Sequence, residues 1–265
     1  MRVAAVIPAR MQSQRLPGKP LRRIAGIPMI LRVVDRLRPC AELDRIIVAT
    51  DSPEIRELVA ASGAEVWMTS PRHPSGSDRV AEVAAELPHE FILNVQGDEP
   101  LIPLSTVQGL VRFALNRPGI EVVTARLPIR HGGEIADPNV VKVVADREGR
   151  ALYFSRCAIP YHRQAWTEAA AAACAGYFKH VGAYLYRREV LLDFTRWAAS
   201  PLESAECLEQ LRLLEHGCRI DVIEVEEDSR SVDTEEDLRE VERLILQGAA
   251  GAGPVSGGSA VPGGV

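Results

Sequence analysis

Along the first half of the chain, short unbroken apolar runs alternate with segments whose apolar positions recur every three to four residues. RVAAVIPA is followed by PMILRVVDRL, DRIIVATD by PEIRELVAAS, EVWMTS by SDRVAEVAAEL, and FILNVQGDEP by LSTVQGLVRFAL. The first member of each pair reads as a strand buried on both faces and the second as an amphipathic helix. Repeated strand–helix units predict an α/β fold with a mostly parallel, doubly wound sheet. Such a sheet receives ligands outside the carboxyl ends of its strands, so the chemistry is expected in the segments that follow the apolar runs.

The rhythm changes over residues 122–186. VVTARLPI, VVKVVAD, RALYFS and HVGAYLY are strand-like and lack regular helices between them, the pattern of an inserted antiparallel segment acting as a lid or dimerisation element. Helical patterning returns over 188–196 and 204–215, a strand is expected near 219–225, and a last helix follows Asp233, with Thr234 as its N-cap. Residues 1–247 read as a single domain. Residues 248–265 are dominated by Gly, Ala, Ser and Pro and are expected to be a disordered tail, because they cannot bury enough apolar surface to offset ordering.

A net charge of -5 argues against a nucleic-acid binder or a protein held on anionic membranes, both of which present broad basic surfaces. Any polyanionic ligand must therefore meet a local basic cluster. The five cysteines show no C-x-x-C pair and no zinc-ligand spacing. The opening run is too short for a signal sequence, and no stretch reaches transmembrane length. A cytoplasmic location follows as an expectation.

That basic cluster lies in IPARMQSQRLPGKPL, where the first strand runs directly into Arg10, Ser13, Arg15, Gly18 and Lys19. Three cations and a glycine at the end of a parallel strand suit a phosphate-gripping loop, although neither a dinucleotide fingerprint nor a Walker loop is present. In SGSDRVAEV, Ser75, Gly76 and Ser77 open a helix, where small residues let backbone approach a base or ribose, and Ser77 alone would also serve as an N-cap. NVQGDEP ends the fourth strand with Gln96, Gly97, Asp98 and Glu99. Asp98 there suits Mg²⁺ held by one or two carboxylates and substrate phosphates, with Gly97 leaving room for a ligand. Asp233, by itself, reads as a capping or solvated acid. His180 reads as a half-buried strand residue, and Glu203, Glu206 and Glu209, spaced every three residues, read as a solvated helix face.

These strings, together with VATD, DPNVVKVV, ALYFSRCAIP, KHVGAYLYRR, SPLESAECLEQLRLLEHG and VDTEEDL, closely resemble the 3-deoxy-manno-octulosonate (Kdo) cytidylyltransferases, over residues 1–243. The resemblance implies a nucleotidyltransferase that joins CTP to Kdo with release of pyrophosphate, for bacterial lipopolysaccharide synthesis. It implies that Arg10, Ser13, Arg15 and Lys19 hold the triphosphate, and that Ser75 and Gly76 read cytosine and ribose. Asp98 and Asp233 would bind Mg²⁺, with Lys19, Asp98 and Asp233 carrying catalysis. Gln96, Arg156, His180, Tyr184, Glu209 and Gln210 would line the sugar pocket, with Arg156 facing the sugar carboxylate. A homodimer is implied as well. The sequence departs from its relatives at Gln14, Ala183 and Glu235, none of them a proposed charged contact. Two other readings stay open: activation of another acidic sugar, such as 8-amino-Kdo or a sialic acid, and a non-catalytic nucleotide-binding regulatory protein.

Overall fold

The computed structural model describes residues 2–13, 15–162 and 176–251, without the side chains of 248–251. Seven strands form the central path of one sheet, in the order β11 (Ile220–Glu224), β7 (Val122–Pro128), β10 (Phe178–Arg187), β6 (Phe91–Asn94), β1 (Val3–Ala9), β4 (Arg45–Thr50) and β5 (Glu65–Met68). β1 pairs in parallel with both β4 and β6, β4 with β5, and β7 with β11, whereas β10 runs antiparallel to β6 and β7. The mixed, mostly parallel sheet expected from the apolar runs is therefore present. The chain leaves β1 toward β4 and β5 and later returns to β6 on the other side of β1. This reversal opens a crevice at the carboxyl ends of β1 and β6.

All seven residues of β1 are buried, and alternate side chains enter different layers. Val3, Ala5, Ile7 and Ala9 join the layer covered by α1 (Met29–Leu37), α2 (Pro53–Ala61) and α4 (Leu104–Leu115). Ala4 and Val6 join the opposite layer, which holds α3 (Gly76–Ala85) and α6 (Arg188–Phe194). Burial on both faces is why the strand reads as a continuous apolar run instead of an alternating one.

Strand character persists through the 122–186 stretch, but its two end strands, β7 and β10, belong to the central sheet. While β2 (Arg23–Ile24) and β3 (Ile27–Pro28) form a separate two-stranded ribbon, within this sheet only β8 (Lys142–Ala145) and β9 (Ala151–Ser155) leave the main path. They pair with each other, and β8 touches β10 at Lys142 and Lys179. A short helix, α5 (Gly132–Ala136), lies between β7 and β8. Within 204–215 the expected helix is broken in two. α7 (Pro201–Glu206) starts on a Ser200–Glu203 capping box, Cys207 turns left-handed at φ 51, and α8 (Gln210–Glu215) follows. The last helix, α9 (Glu235–Gly251), begins after Thr234, whose hydroxyl accepts from the Asp237 N–H. It continues through the first four residues of the expected tail; residues 252–265 lie outside the described residues. No helix of the described residues is long and apolar enough to cross a membrane.

Candidate active site

A cavity of about 860 Å³ opens at the carboxyl ends of β1 and β6. Arg10, Ser13, Arg15, Lys19, Ser75, Gly76, Gln96, Asp98 and Asp233 all line it. Sequence reasoning assigned these nine residues to the phosphate, base, metal and sugar subsites, and the fold gathers them from four separate segments.

The loop after β1 is shaped by local bonds. The Ser13 hydroxyl accepts from the Leu16 N–H at 3.2 Å, and Gly18, at φ +68, turns the chain into a single 3₁₀ turn, Lys19–Leu21. An L side chain would be strained at that φ. The turn directs Lys19 inward, where Nζ donates to Asp98 Oδ2 at 2.5 Å and to Asp233 Oδ1 at 3.0 Å. Arg15, largely exposed, reaches the other oxygen of Asp233 at 3.1 Å. Burial disfavours the charge on Lys19, but the two carboxylates outweigh it and hold its pKa above the usual lysine range. One cation thus sits between two acids that come from opposite ends of the chain.

Asp233 is brought there by a small apolar clasp. Leu16, Ile24 and Met29 pack against Val232, Leu238 and Val241. Around it, Arg22 pairs with Glu235 at 2.7 Å, and the Ala25 N–H donates to Glu242 at 2.6 Å. Glu235, one of the departures from the family pattern, therefore reinforces the clasp. Neighbouring Glu99 accepts from the Ser229 hydroxyl. Burial, opposed by that bond and reinforced by Asp98, Asp228 and Asp233, pushes its carboxyl up to about 7.

Gly97 does not leave room for a ligand. A Cβ there would lie 2.8 Å from the Pro8 carbonyl oxygen, so the glycine permits two chain segments to cross at the strand ends. Gly76 is similarly crowded, by Gln96 and Pro8 at 3.1 and 3.3 Å. The N-cap of α3 is Ser75 and not Ser77: the Ser75 hydroxyl accepts from the Asp78 N–H and donates to its carboxylate at 2.6 Å. Ser77 is buried and donates to Glu209 at 2.5 Å.

Arg79 lines the cavity although it was assigned no role from the sequence. It is 3% exposed, donates to Thr69 Oγ1 at 2.5 Å and pairs with Asp51 at 3.3 Å. Its position in the first turn of a helix that opens at the strand ends was the available signal. A buried guanidinium held by a carboxylate places fixed positive charge beside the β1 loop.

Arg156, His180, Tyr184, Glu209 and Gln210 are not part of the cavity lining. Most of them belong to an adjoining cluster tied to the cavity through Gln96. Gln96 Nε2 donates to Asn94 at 3.0 Å, Asn94 to Ser77 at 3.4 Å, and Ser77 to Glu209. Burial raises the pKa of Glu209, and Gln210 is buried beside it in the chain. The rings of His180 and Tyr184 lie 5.1 Å apart, and the Tyr184 hydroxyl is buried with no hydrogen-bond partner among the described residues. Arg156 is engaged elsewhere. Its guanidinium donates to the main-chain carbonyls of Glu206, Pro138 and Cys207 at 2.7, 2.9 and 3.3 Å, so it braces the turn that precedes Glu209. The spacing of Glu203, Glu206 and Glu209 does not mark a solvated face either. Glu203 pairs with Arg212 at 2.6 Å, and Glu206 accepts from Ser155 and from the Arg156 N–H.

A switch-point crevice with a cationic loop on one strand and acids on the next defines an α/β protein built to receive a nucleoside polyphosphate. The comparisons with known proteins narrow that class. A family model described as cytidylyltransferase matches residues 4–222, and the chain belongs to this family. It is 48% identical to the 3-deoxy-manno-octulosonate cytidylyltransferase of Syntrophotalea carbinolica, over 91% of this chain and 98% of that one. It is 46% identical to the enzyme of the same name from Geobacter metallireducens, over 91% and 96%. Among solved structures it is similar to CMP:2-keto-3-deoxy-manno-octonic acid synthetase complexed with CTP, with a TM-score of 0.87 and 41% identity, covering 94% of this chain and all of that one.

Proposed function

We propose that this protein transfers the cytidylyl group of CTP to Kdo, giving CMP-Kdo and pyrophosphate. The anomeric hydroxyl oxygen of the sugar bonds to the α-phosphorus as the bond to the β-phosphate oxygen breaks, and the hydroxyl proton passes to solvent. Both reacting partners are anionic, so catalysis here is mainly charge neutralisation and alignment. Arg10, Ser13, Arg15 and Lys19 grip the triphosphate, with Arg79 adding charge from the cavity floor. Ser75 and Gly76 approach the nucleoside, and Gln96, His180, Tyr184, Glu209 and Gln210 surround the sugar.

The observation that carries this reading is Lys19 Nζ placed between Asp98 and Asp233 inside the cavity. Two carboxylates already converge on one positive charge, and oxygen donors of this kind fit Mg²⁺, which is commonly held by one or two carboxylates and substrate phosphates. No group of three or more candidate ligands occurs among the described residues, and substrate phosphates would have to supply the remaining oxygens. When bound, the ion would neutralise phosphate charge and help ionise the attacking hydroxyl. Lys19, released from its two acids, is then available to the triphosphate.

A pyrophosphate-release assay tests the proposal, with CTP, UTP, ATP and dTTP crossed against Kdo, 8-amino-Kdo and sialic acid. CTP with Kdo should give the highest kcat/KM. Equal or better turnover with UTP or with sialic acid would overturn it, and CTP binding without pyrophosphate release would favour a regulatory role.

A further inference from the structure

β10 is not a regular strand. Val181 faces Ala125 of β7, but the next paired residue is Tyr184, which faces Thr124. Gly182 and Ala183 therefore have no partner opposite them and form a bulge. In an unbroken strand, residues four apart are separated by about 13 Å. Here the rings of His180 and Tyr184 are 5.1 Å apart. The bulge thus converts two distant rows into neighbours and re-aims both side chains, a recurrent use of bulges beside active sites.

Thr124 sits behind the bulge with none of its surface exposed. Its hydroxyl oxygen lies 2.8 Å from the Ala183 carbonyl, 3.3 Å from the Val181 carbonyl and 2.9 Å from His180 Nε2. The hydroxyl has one proton, and the carbonyls can only accept. An oxygen pair at 2.8 Å without a proton between them repels, so the proton goes to Ala183 and the remaining hydroxyl lone pair faces His180. The imidazole must then donate from Nε2, which leaves Nδ1 as an acceptor. No hydrogen bond to Nδ1 occurs among the described residues. Burial pushes the imidazole pKa down to about 3, so the ring remains neutral.

We propose that Thr124 is a positioning residue: it locks His180 in the Nε2–H tautomer and thereby presents Nδ1 to a hydroxyl of the sugar substrate. The sugar half of this statement rests on the functional reading above, whereas the tautomer half does not. A neutral acceptor selects a hydroxyl donor and has no attraction for a carboxylate, so His180 would read the polyol part of the sugar and not its acid group.

The test combines spectroscopy with kinetics. ¹⁵N-histidine NMR of the full chain, with His180 assigned by comparison with His180→Gln, should show the Nε2–H tautomer without any substrate. Thr124→Val, nearly isosteric, should lose that fixed tautomer and raise the KM for Kdo roughly threefold to tenfold, the effect of one hydrogen bond, while leaving the KM for CTP unchanged. Thr124→Ser should restore both. An Nδ1–H tautomer in the unmodified protein overturns the proposal even if Thr124→Val does not fold. A tautomer that changes in Thr124→Val without a change in the KM for Kdo overturns the role of His180 toward the sugar. A protein with the expected tautomer that does not turn over Kdo at all sinks the functional reading and leaves the Thr124–His180 relation standing.

Discussion

The backbone N–H of Val232 donates to the carbonyl of Asp98 at 2.9 Å. This one bond ties the turn after β6 to the turn before α9, main chain to main chain, immediately beside the two acids that share Lys19. The spacing of Asp98 and Asp233 is therefore set by backbone and by the apolar clasp beneath it, and not by two flexible side chains finding each other.

Leu16 is the part of that clasp that belongs to the phosphate loop, and it is 2% exposed. Leu16→Ala should cost roughly 2–5 kcal/mol, the usual range for truncating a buried leucine. Because the clasp holds Lys19 and Asp233 in register, the KM for CTP should rise more than the KM for Kdo. Urea unfolding and steady-state kinetics on the same sample check both outcomes.

Arg156→Ala separates bracing from recognition. If Arg156 meets the sugar carboxylate, its loss should cost ~1.5–3 kcal/mol of charge-assisted bonding, a roughly tenfold to hundredfold fall in kcat/KM for Kdo, with the KM for CTP spared. The three carbonyl contacts add a second expectation: the variant should also melt at a lower temperature. A rise in the KM for CTP with the sugar unaffected would reverse the assignment of the two ends of the pocket.

Glu99 gives a pH signature. Its carboxyl titrates near 7 in the folded protein, above the ordinary glutamate value of 4.5. The folded state therefore holds more protons than the unfolded state between about pH 4.5 and 7, and stability contributed by this group falls as the pH rises through that window. Glu99→Gln imitates the protonated acid. In the presence of a chelator it should melt above the unmodified protein at pH 8 and at nearly the same temperature at pH 4.5. Equal melting temperatures at pH 8 would contradict the raised pKa.

The hairpin of β8 and β9 carries Leu152, which is 62% exposed, and the segment after it carries Tyr161, 81% exposed. Large apolar side chains displayed this openly suit a protein–protein contact, in keeping with the homodimer proposed from the strand-rich stretch. Light scattering at micromolar concentration should return a dimer mass, and Leu152→Asp should return a monomer. A monomer mass for the unmodified chain would remove the proposal.

The strand–helix alternation and the basic loop were legible because both are local: a period can be read within a dozen residues, and cations at a strand end are contiguous. Asp233 read locally looks like a cap, so its pairing with Asp98 was legible only through the family resemblance, and the packing of Leu16, Ile24 and Met29 on Val232, Leu238 and Val241 is what brings it across. The bulge at Gly182 and Ala183 leaves no periodic trace, because two extra residues preserve the alternation of faces. Arg79 was hidden by its type, as arginine in a first helical turn is usually solvated. The break at Cys207 escaped for a similar reason, there being no glycine to announce a left-handed residue, and the helix start expected at 204 lay three residues late because the S-x-x-E capping pattern of Ser200 and Glu203 was not read from the sequence.

The shared ion pair with Lys19 makes the two acids separable by experiment. Asp98→Asn keeps the shape of the side chain but removes a charge from the proposed Mg²⁺ site, so kcat should fall about 10²-fold or more, as for the loss of a main transition-state stabiliser. Asp233→Asn should do likewise. Because both would serve one ion, the double variant should be little worse than the worse single one, since groups acting as a unit are non-additive. Lys19 supplies the control. Without metal or CTP its charge offsets the repulsion between the two acids that the backbone and the clasp bring together, and losing either carboxylate leaves half of its partners, so each single variant should also shift the melting temperature in a chelator. An ion that replaces Lys19 between the acids should bind weakly to the free enzyme and well with CTP present, because the phosphates complete its shell. Calorimetric titration of Mg²⁺ with and without CTP, alongside kinetics at saturating Mg²⁺, reads both points. A near-normal kcat for Asp98→Asn would overturn the metal assignment, and losses that multiplied fully in the double variant would show the carboxylates acting apart.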